Sequence, residues 1–118
     1  MKLSNHNELL DDIWLRIKKM RDEGQKEYAQ DLDNVFANFE RIGEQLHIDR
    51  QQVLWVYLAK HIDGIASYIK GHRSQREDVR GRITDVIVYL SLLWGMIEED
   101  HGAVEVYSLK FKPEGESK

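Results

Sequence analysis

The acidic residue Asp85 stands in the first half of a strongly apolar run, residues 82–94. A carboxylate beside so much apolar surface costs free energy unless it meets a cation, a metal ion or hydrogen-bond donors. The earlier segment Lys60-His61-Ile62-Asp63 offers candidate partners for it. These two segments carry the case for a functional site.

Helical spacing sets the polar side chains of these segments on two surfaces. Asp78, Arg82, Asp85 and Tyr89 follow one another at steps of three or four positions, so they share one face of the fourth helix. Lys60 and Asp63 share a face of the preceding helix. Carboxylates and a lysine suit a magnesium ion with phosphate oxygens, because Mg²⁺ prefers oxygen ligands and keeps several waters. The pattern predicts a magnesium site with three ligands: Asp63, Asp78 and Asp85.

The same patch predicts catalytic roles for Asp85 and Lys60. A carboxylate that is not bound to the metal can orient an attacking water, and the lysine offsets negative charge on the substrate. The predicted substrate-binding residues are Asn38, Lys60, His61 and Tyr89. One alternative stays open at this point, a structural ion pair that joins Lys60 or Arg82 to Asp85.

Composition excludes several classes of protein. The chain has 118 residues, no cysteine and a formal net charge of −4. Disulfides and thiolate metal sites are excluded, and the acidic charge argues against direct nucleic-acid binding. No HExxH, Walker-type or GxSxG motif occurs. Without a signal-like start or a run long enough to cross a bilayer, we expect a cytoplasmic protein that binds no membrane.

Helical periodicity with a single proline, Pro113, predicts an all-α fold, a four-helix bundle. The first helix opens with Asn5 and Glu8 as a capping pair and stops at Gly24. The second runs from residue 31 or 33 to about 46, with Gly43 at a point where another backbone can approach closely.

The third helix has the clearest start, because Asp49 and Gln52 form a capping box. It stops at Gly71. A second capping box, Ser74 with Glu77, opens the fourth helix. The core stripe predicted for that helix consists of Val79, Ile83, Val86, Ile87, Leu90, Leu93, Trp94 and Ile97.

Residues 103–111 predict a short strand or an extended arm after the bundle. We therefore assign a single helical domain to residues 1–112 and a polar tail to residues 113–118. Several apolar residues, including Trp55, Val56 and Trp94, exceed what one small bundle can bury. This surplus predicts a dimer.

Four pieces of sequence, taken in order, carry a resemblance to a known group of proteins. They are residues 26–28 (KEY), 38–43 (NFERIG), 60–65 (KHIDGI) and 77–90 (EDVRGRITDVIVYL). Their order resembles the nucleotide modification-associated domain families of phages and bacteria, small helical proteins similar in outline to the MazG-like nucleotide pyrophosphohydrolases. The resemblance implies a role in nucleotide metabolism or around modified nucleic acid in a phage or prophage setting, and it assigns Asp85 to a metal-ligand position.

Two functional hypotheses follow. The first is Mg²⁺-dependent nucleotide binding, or hydrolysis of a nucleotide (pyro)phosphate. The alternative is a non-enzymatic helical module that dimerises or binds a partner protein, in which a Lys–Asp ion pair is structural. Its candidate contacts are Trp14, Trp55 and the arm at residues 107–111.

Overall fold

The computed structural model describes residues 1–29 and 33–102 of the chain. It confirms an all-α bundle of four helices. These are α1 (Leu3–Gly24), α2 (Ala37–Leu46), α3 (Arg50–Ile69) and α4 (Val79–His101), with a π-helical turn at Gln25–Ala29 between α1 and α2. Of the two starts predicted for the second helix, Asp33 is wrong because α2 begins at Ala37, and Asp31 lies outside the described residues. The C-terminal arm and the polar tail also lie outside them.

The helices pack in a defined order around one core. α3 packs most extensively on α4, α2 packs against α3, and α1 packs against α4. Leu54, Leu58 and Met96 are the largest fully buried side chains. Among the described helices, none has the length and apolar character that crossing a membrane requires.

Polar side chains cap the starts of α3 and α4, and the sequence identified one of the two. The capping box at α3 is confirmed, since the Gln51 backbone N–H donates to Asp49 Oδ1 at 2.7 Å and Asp49 N–H donates to Gln52 Oε1 at 3.0 Å. The Ser74 capping box for α4 is wrong. Asp78 is the cap, and its Oδ1 accepts the Arg80 backbone N–H at 2.8 Å.

The start of α1 also differs from the prediction. The helix begins at Leu3, two residues before Asn5, and Lys2 at its N-cap offers no side-chain hydrogen bond. Asn5 therefore lies inside the first turn. Gly24 does end α1, but the chain continues directly into the π-helical turn.

The most buried face of α4 differs from the predicted one. Its buried side chains are Thr84, Val88, Leu92 and Met96. Three members of the predicted stripe, Val86, Ile87 and Leu93, are partly buried and pack against the core. Other members face solvent, where Leu90 is 48 % exposed and Trp94 is 58 % exposed. A helix that is apolar on nearly every side has no period that identifies its inner face, so the pattern alone could not choose between the two.

Arg50 joins three helices at the start of α3. Its guanidinium is 2.8 Å from Glu40 of α2, 2.7 Å from Glu99 and 2.9 Å from Asp100 of α4. The side chain also lies over the ring of the buried Phe36. Charge pairing and packing thus hold α2, α3 and α4 together at this point.

Gly43 confirms the predicted close approach of a second backbone. A Cβ built on Gly43 would lie 2.7 Å from the carbonyl oxygen of Ile48, whereas one on Gly81 in the first turn of α4 meets nothing within 4 Å. We expect Gly43→Ala to destabilise the fold by roughly 1–3 kcal/mol through overpacking. Gly81→Ala should stabilise it by about 0.5–1 kcal/mol, because alanine favours the helix. Urea unfolding of both variants checks the pair, and equal effects would contradict the contact.

Candidate functional site

His61 of α3 and Asp85 of α4 face each other across the main helix interface. His61 Nδ1 lies 3.5 Å from Asp85 Oδ2, and the two side chains are 10 % and 28 % exposed. That distance is too long for a normal hydrogen bond. His61 Nδ1 has no hydrogen-bond partner among the described residues, although it is buried. An orphaned buried nitrogen is costly and rare, and it is typical of a site that binds a ligand.

Glu77, just before α4, completes a cluster with this pair. One ligand atom from each of His61, Glu77 and Asp85 lies within 4.8 Å of the other two. Burial raises the pKa of Asp85, and the nearby charge of Glu77 raises it further against the opposing charges of His61, Lys60 and Arg82. The cluster therefore holds negative charge that burial and its like-charged neighbour disfavour.

The Arg82 guanidinium lies beside this cluster over a bare stretch of helix backbone. A Cβ on Gly64 of α3 would come within 2.6 Å of Arg82 Cζ, so only glycine leaves room for the guanidinium there. The side chain is 12 % exposed, its nearest carboxylate is Glu77 at 4.0 Å, and Nε has no partner among the described residues. Arg82 thus brings a weakly paired, mostly buried cation to the edge of the cluster.

Asp85 also lines a cavity of about 290 Å³ formed by the end of α1, the π-helical turn, α2 and α4. The apolar part of its wall includes Phe39, Val88 and Leu92. The polar part includes Asn38, Tyr28, Tyr89, Arg21, Glu23 and Glu27. Asp85 is therefore shared between the cavity and the cluster of His61 and Glu77.

Hydrogen bonds fix the π-helical turn against the start of α2. The Gln25 side chain donates to the Asn34 carbonyl oxygen at 2.9 Å and accepts a hydrogen bond from Arg21. Asn34 in turn donates to Glu40 Oε1 at 2.8 Å and accepts from the Phe36 backbone N–H at 3.0 Å. Short π-helical segments are frequent at functional sites, and this one forms a wall of the cavity.

Aromatic rings support the far side of Asp85. Tyr89 stacks on Tyr57 with ring centroids 6.4 Å apart, Phe39 meets both rings edge-on, and the His61 ring lies 5.8 Å from Tyr89. Burial raises the pKa of Tyr89 to about 12, and the charge of Asp85 adds to the effect. The Tyr89 hydroxyl therefore stays protonated at neutral pH and available as a hydrogen-bond donor.

The structure brings together four of the residues that the sequence predicted. His61 and Asp85 meet directly, while Asn38, Tyr89 and Asp85 line the same cavity. Lys60 is exposed on α3. Its charge lowers the pKa of Asp85, but within the described part of the chain neither Lys60 nor Arg82 forms an ion pair with that carboxylate.

Two predicted metal ligands, Asp63 and Asp78, do not join the cluster. Asp78 caps α4, and its Oδ2 binds the Arg80 guanidinium at 2.7 Å, which together hold its pKa down at about 2. Its oxygens are thus occupied by protein donors. Asp63 is exposed on α3, and no metal-type cluster of the described residues includes it.

Sequence reasoning missed Glu77 and the wall of the cavity. Glu77 was assigned to a capping box, yet it lies before the Asp78 N-cap of α4, outside the helix. Helical spacing therefore does not relate Glu77 to Asp85, and no sequence signal identified its place in the cluster. None identified Arg21 and Tyr28 either, since the fold of the π-helical turn places them.

The chain matches no protein-family model, no curated protein and no solved structure in the comparisons with known proteins. The functional assignment therefore rests on the geometry of the cavity and the cluster.

Proposed function

We propose that the protein binds a nucleotide together with a divalent cation in the cavity beside Asp85. The observation that carries the proposal is the state of this carboxylate. It lines the cavity, it is partly exposed, and no described residue donates a hydrogen bond to it. A bound cation would strongly stabilise the charged form of a carboxylate that is partly buried and receives no hydrogen bond.

The charge of the cavity wall supports a cation as an obligatory companion. Three carboxylates, those of Glu23, Glu27 and Asp85, line the cavity, against the single guanidinium of Arg21. A free phosphate would meet net repulsion there. A phosphate that arrives with Mg²⁺ brings the charge that these carboxylates lack, and the ion keeps waters and shares phosphate oxygens.

The remaining wall suits the flat, polar parts of a nucleotide. Tyr28 and Tyr89 offer aromatic surface for a base, and Asn38 offers an amide for its hydrogen-bonding edge. The volume of about 290 Å³ lies just below the ~300–1,000 Å³ typical of small-ligand sites. The resemblance of residues 26–97 to nucleotide modification-associated domains agrees with this ligand class.

A thermal-shift screen and isothermal titration with ribo- and deoxynucleoside triphosphates test the proposal, each with Mg²⁺ and with EDTA. We expect stabilisation only when nucleotide and cation are both present. Ligand at a hundredfold its dissociation constant should add about 2.7 kcal/mol. The matching nucleosides, which lack phosphate, and putrescine, an organic cation, are the controls. No shift at millimolar nucleotide, or an equal shift in EDTA, would refute the proposal.

The proposed catalytic roles of Asp85 and Lys60 depend on nucleotide binding in this cavity. Lys60 lies close enough to Asp85 for its charge to affect that carboxylate, and it is exposed to an incoming phosphate. Release of pyrophosphate or phosphate from a bound triphosphate, compared between wild type and Lys60→Ala, measures whether hydrolysis accompanies binding.

A second candidate function, self-association, is favoured by the outer face of α4. We propose that two copies pair through the exposed stripe of Ile83, Leu90, Trp94 and Ile97. The steps of seven, four and three residues are those of helices packed side by side. Residues 83–97 place no charged side chain on that stripe, so a second copy presenting the same surface would meet charge only at the stripe's edge, where Glu98 accepts a hydrogen bond from Trp94 Nε1 at 2.9 Å. Trp14 and Trp55, predicted as contacts, are also more than half exposed.

A further inference from the structure

We propose that His61, Glu77 and Asp85 bind a first-row transition-metal ion, such as Mn²⁺ or Zn²⁺, in preference to Mg²⁺. This inference rests on the proposed function in one respect, since it names the cation of the same site. It differs from the sequence-based prediction in two of the three ligands and in the metal, and it keeps Asp85.

The ligand types favour a transition metal. Mg²⁺ is a hard cation that takes oxygen ligands, whereas an imidazole nitrogen suits Zn²⁺ and its neighbours in the first row. One imidazole with two carboxylates is a mixed nitrogen and oxygen ligand set, and the imidazole nitrogen adds little to the affinity for Mg²⁺. The imidazole here is the buried member of the cluster, and its Nδ1 has no partner among the described residues.

The distances fit an ion between His61 and Asp85. A tetrahedral site with bonds of ~2.1 Å places its ligand atoms ~3.4 Å apart. The observed separation of His61 Nδ1 and Asp85 Oδ2 is 3.5 Å. Glu77 is exposed and long, so its carboxylate can close the remaining gap within the 4.8 Å cluster by side-chain rotation.

Three protein ligands leave a coordination position open. Catalytic metal sites keep such a position open for water or substrate. The weakly paired guanidinium of Arg82 lies next to Glu77. A phosphate bound to the metal would therefore have Arg82 as a second positive charge beside it. Binding through Nδ1 also requires His61 to be neutral, with its proton on Nε2.

The test uses the full chain, stripped of metal, and the metal ions alone. Isothermal titration should show one site that binds Mn²⁺ and Zn²⁺ at least roughly tenfold more tightly than Mg²⁺. Co²⁺ added to the protein should absorb visible light more strongly than aqueous Co²⁺, as expected of a four-coordinate site. His61→Gln should weaken Mn²⁺ binding by at least the ~10–100-fold that loss of an outer-shell partner costs. His72→Gln, at an exposed histidine outside the cluster, is the matched control.

A second variant keeps the proposal falsifiable if His61→Gln does not fold. Glu77→Gln changes an exposed side chain before α4, and it should weaken Mn²⁺ binding while the circular dichroism spectrum is unchanged. Equal affinity for Mg²⁺ and Mn²⁺, unaffected by either variant, overturns this inference, and a nucleotide response with Mg²⁺ would then still support the proposed function. Tight Mn²⁺ binding without any nucleotide response supports the inference and refutes the proposed function. No ion bound at millimolar concentration overturns both.

Discussion

Asp85→Asn is expected to stabilise the free protein and, at the same time, to abolish its response to nucleotide and cation. Burial and the charge of Glu77 raise the pKa of Asp85, and no described residue donates a hydrogen bond to it. A neutral amide of the same shape removes the cost of burying this charge near Glu77. Because about a quarter of the side chain remains in water, we expect a gain of only about 0.5–1 kcal/mol. The ligand-induced gain of about 2.7 kcal/mol should disappear.

The effect on the free protein has a defined pH dependence. Since the pKa of Asp85 is higher in the folded than in the unfolded chain, folding favours its protonated form. Wild type therefore loses stability relative to Asp85→Asn as the pH rises through the folded pKa, and the difference vanishes below about pH 4, the usual range of an aspartate. Urea unfolding at pH 3.5 to 8 (about half-unit steps suffice to resolve one group) measures it.

Asp63→Asn is the matched control, because it removes an exposed carboxylate from α3 outside the cluster. It should change neither stability nor ligand response. A structural pair predicts the reverse for Asp85, since removing one partner of a buried ion pair costs ~3–5 kcal/mol. A large loss of stability in Asp85→Asn at neutral pH would therefore contradict the functional interpretation.

Leu90→Glu is expected to convert a dimer into a well-folded monomer. Leu90 is 48 % exposed within one chain, so a glutamate there reaches water without disturbing the core. In a dimer built on the α4 stripe, the same glutamate would be buried and unpaired, which costs several kcal/mol. Each 1.4 kcal/mol is tenfold in affinity, so the dimer dissociation constant should rise roughly 100-fold or more.

Sedimentation equilibrium over a range of concentrations measures that change, with circular dichroism to confirm the helices. Leu46→Glu makes the same substitution at an exposed position of α2, away from the stripe, and should leave the association unchanged. A wild-type chain that is monomeric at high micromolar concentration would refute the dimer. So would a dimer that tolerates Leu90→Glu.

Local signals predicted much of the fold. The capping box of Asp49 and Gln52 and the close approach at Gly43 depend on residues near in sequence, and both are confirmed. Such signals compete where several are present. At α4, Asp78 displaces Ser74 as the cap because its carboxylate reaches the Arg80 N–H directly.

The inner face of α4 needed information from the rest of the molecule. Thr84 is buried and Leu90 is half exposed, although every hydrophobicity scale ranks leucine as more hydrophobic than threonine. The partners of a helix decide which face it buries when every face is apolar. The bulky exposed stripe was read as core for that reason.

The candidate site was predictable where it depends on helix register. His61 and Asp85 each occupy a regular position on adjacent helices, and the sequence placed His61 beside the predicted patch that contains Asp85. The cavity was not predictable, because the π-helical turn and its hydrogen bond from Gln25 to Asn34 set the wall. Gln25 lies in the π-helical turn and Asn34 lies before α2, so helical periodicity does not predict that they are in contact.

Paramagnetic relaxation by Mn²⁺ in the ¹H–¹⁵N NMR spectrum of the full chain tests the central claim most directly. Substoichiometric Mn²⁺ broadens the amide signals closest to the ion, and EDTA restores them. The account predicts that broadening begins at the amides around His61, Glu77 and Asp85. The amides around Asp49 and Asp100, at the far ends of α3 and α4, should stay sharp at the lowest Mn²⁺ concentrations. Broadening that begins instead at the exposed acids of α1, such as Asp11 and Asp12, would contradict a cation site at Asp85.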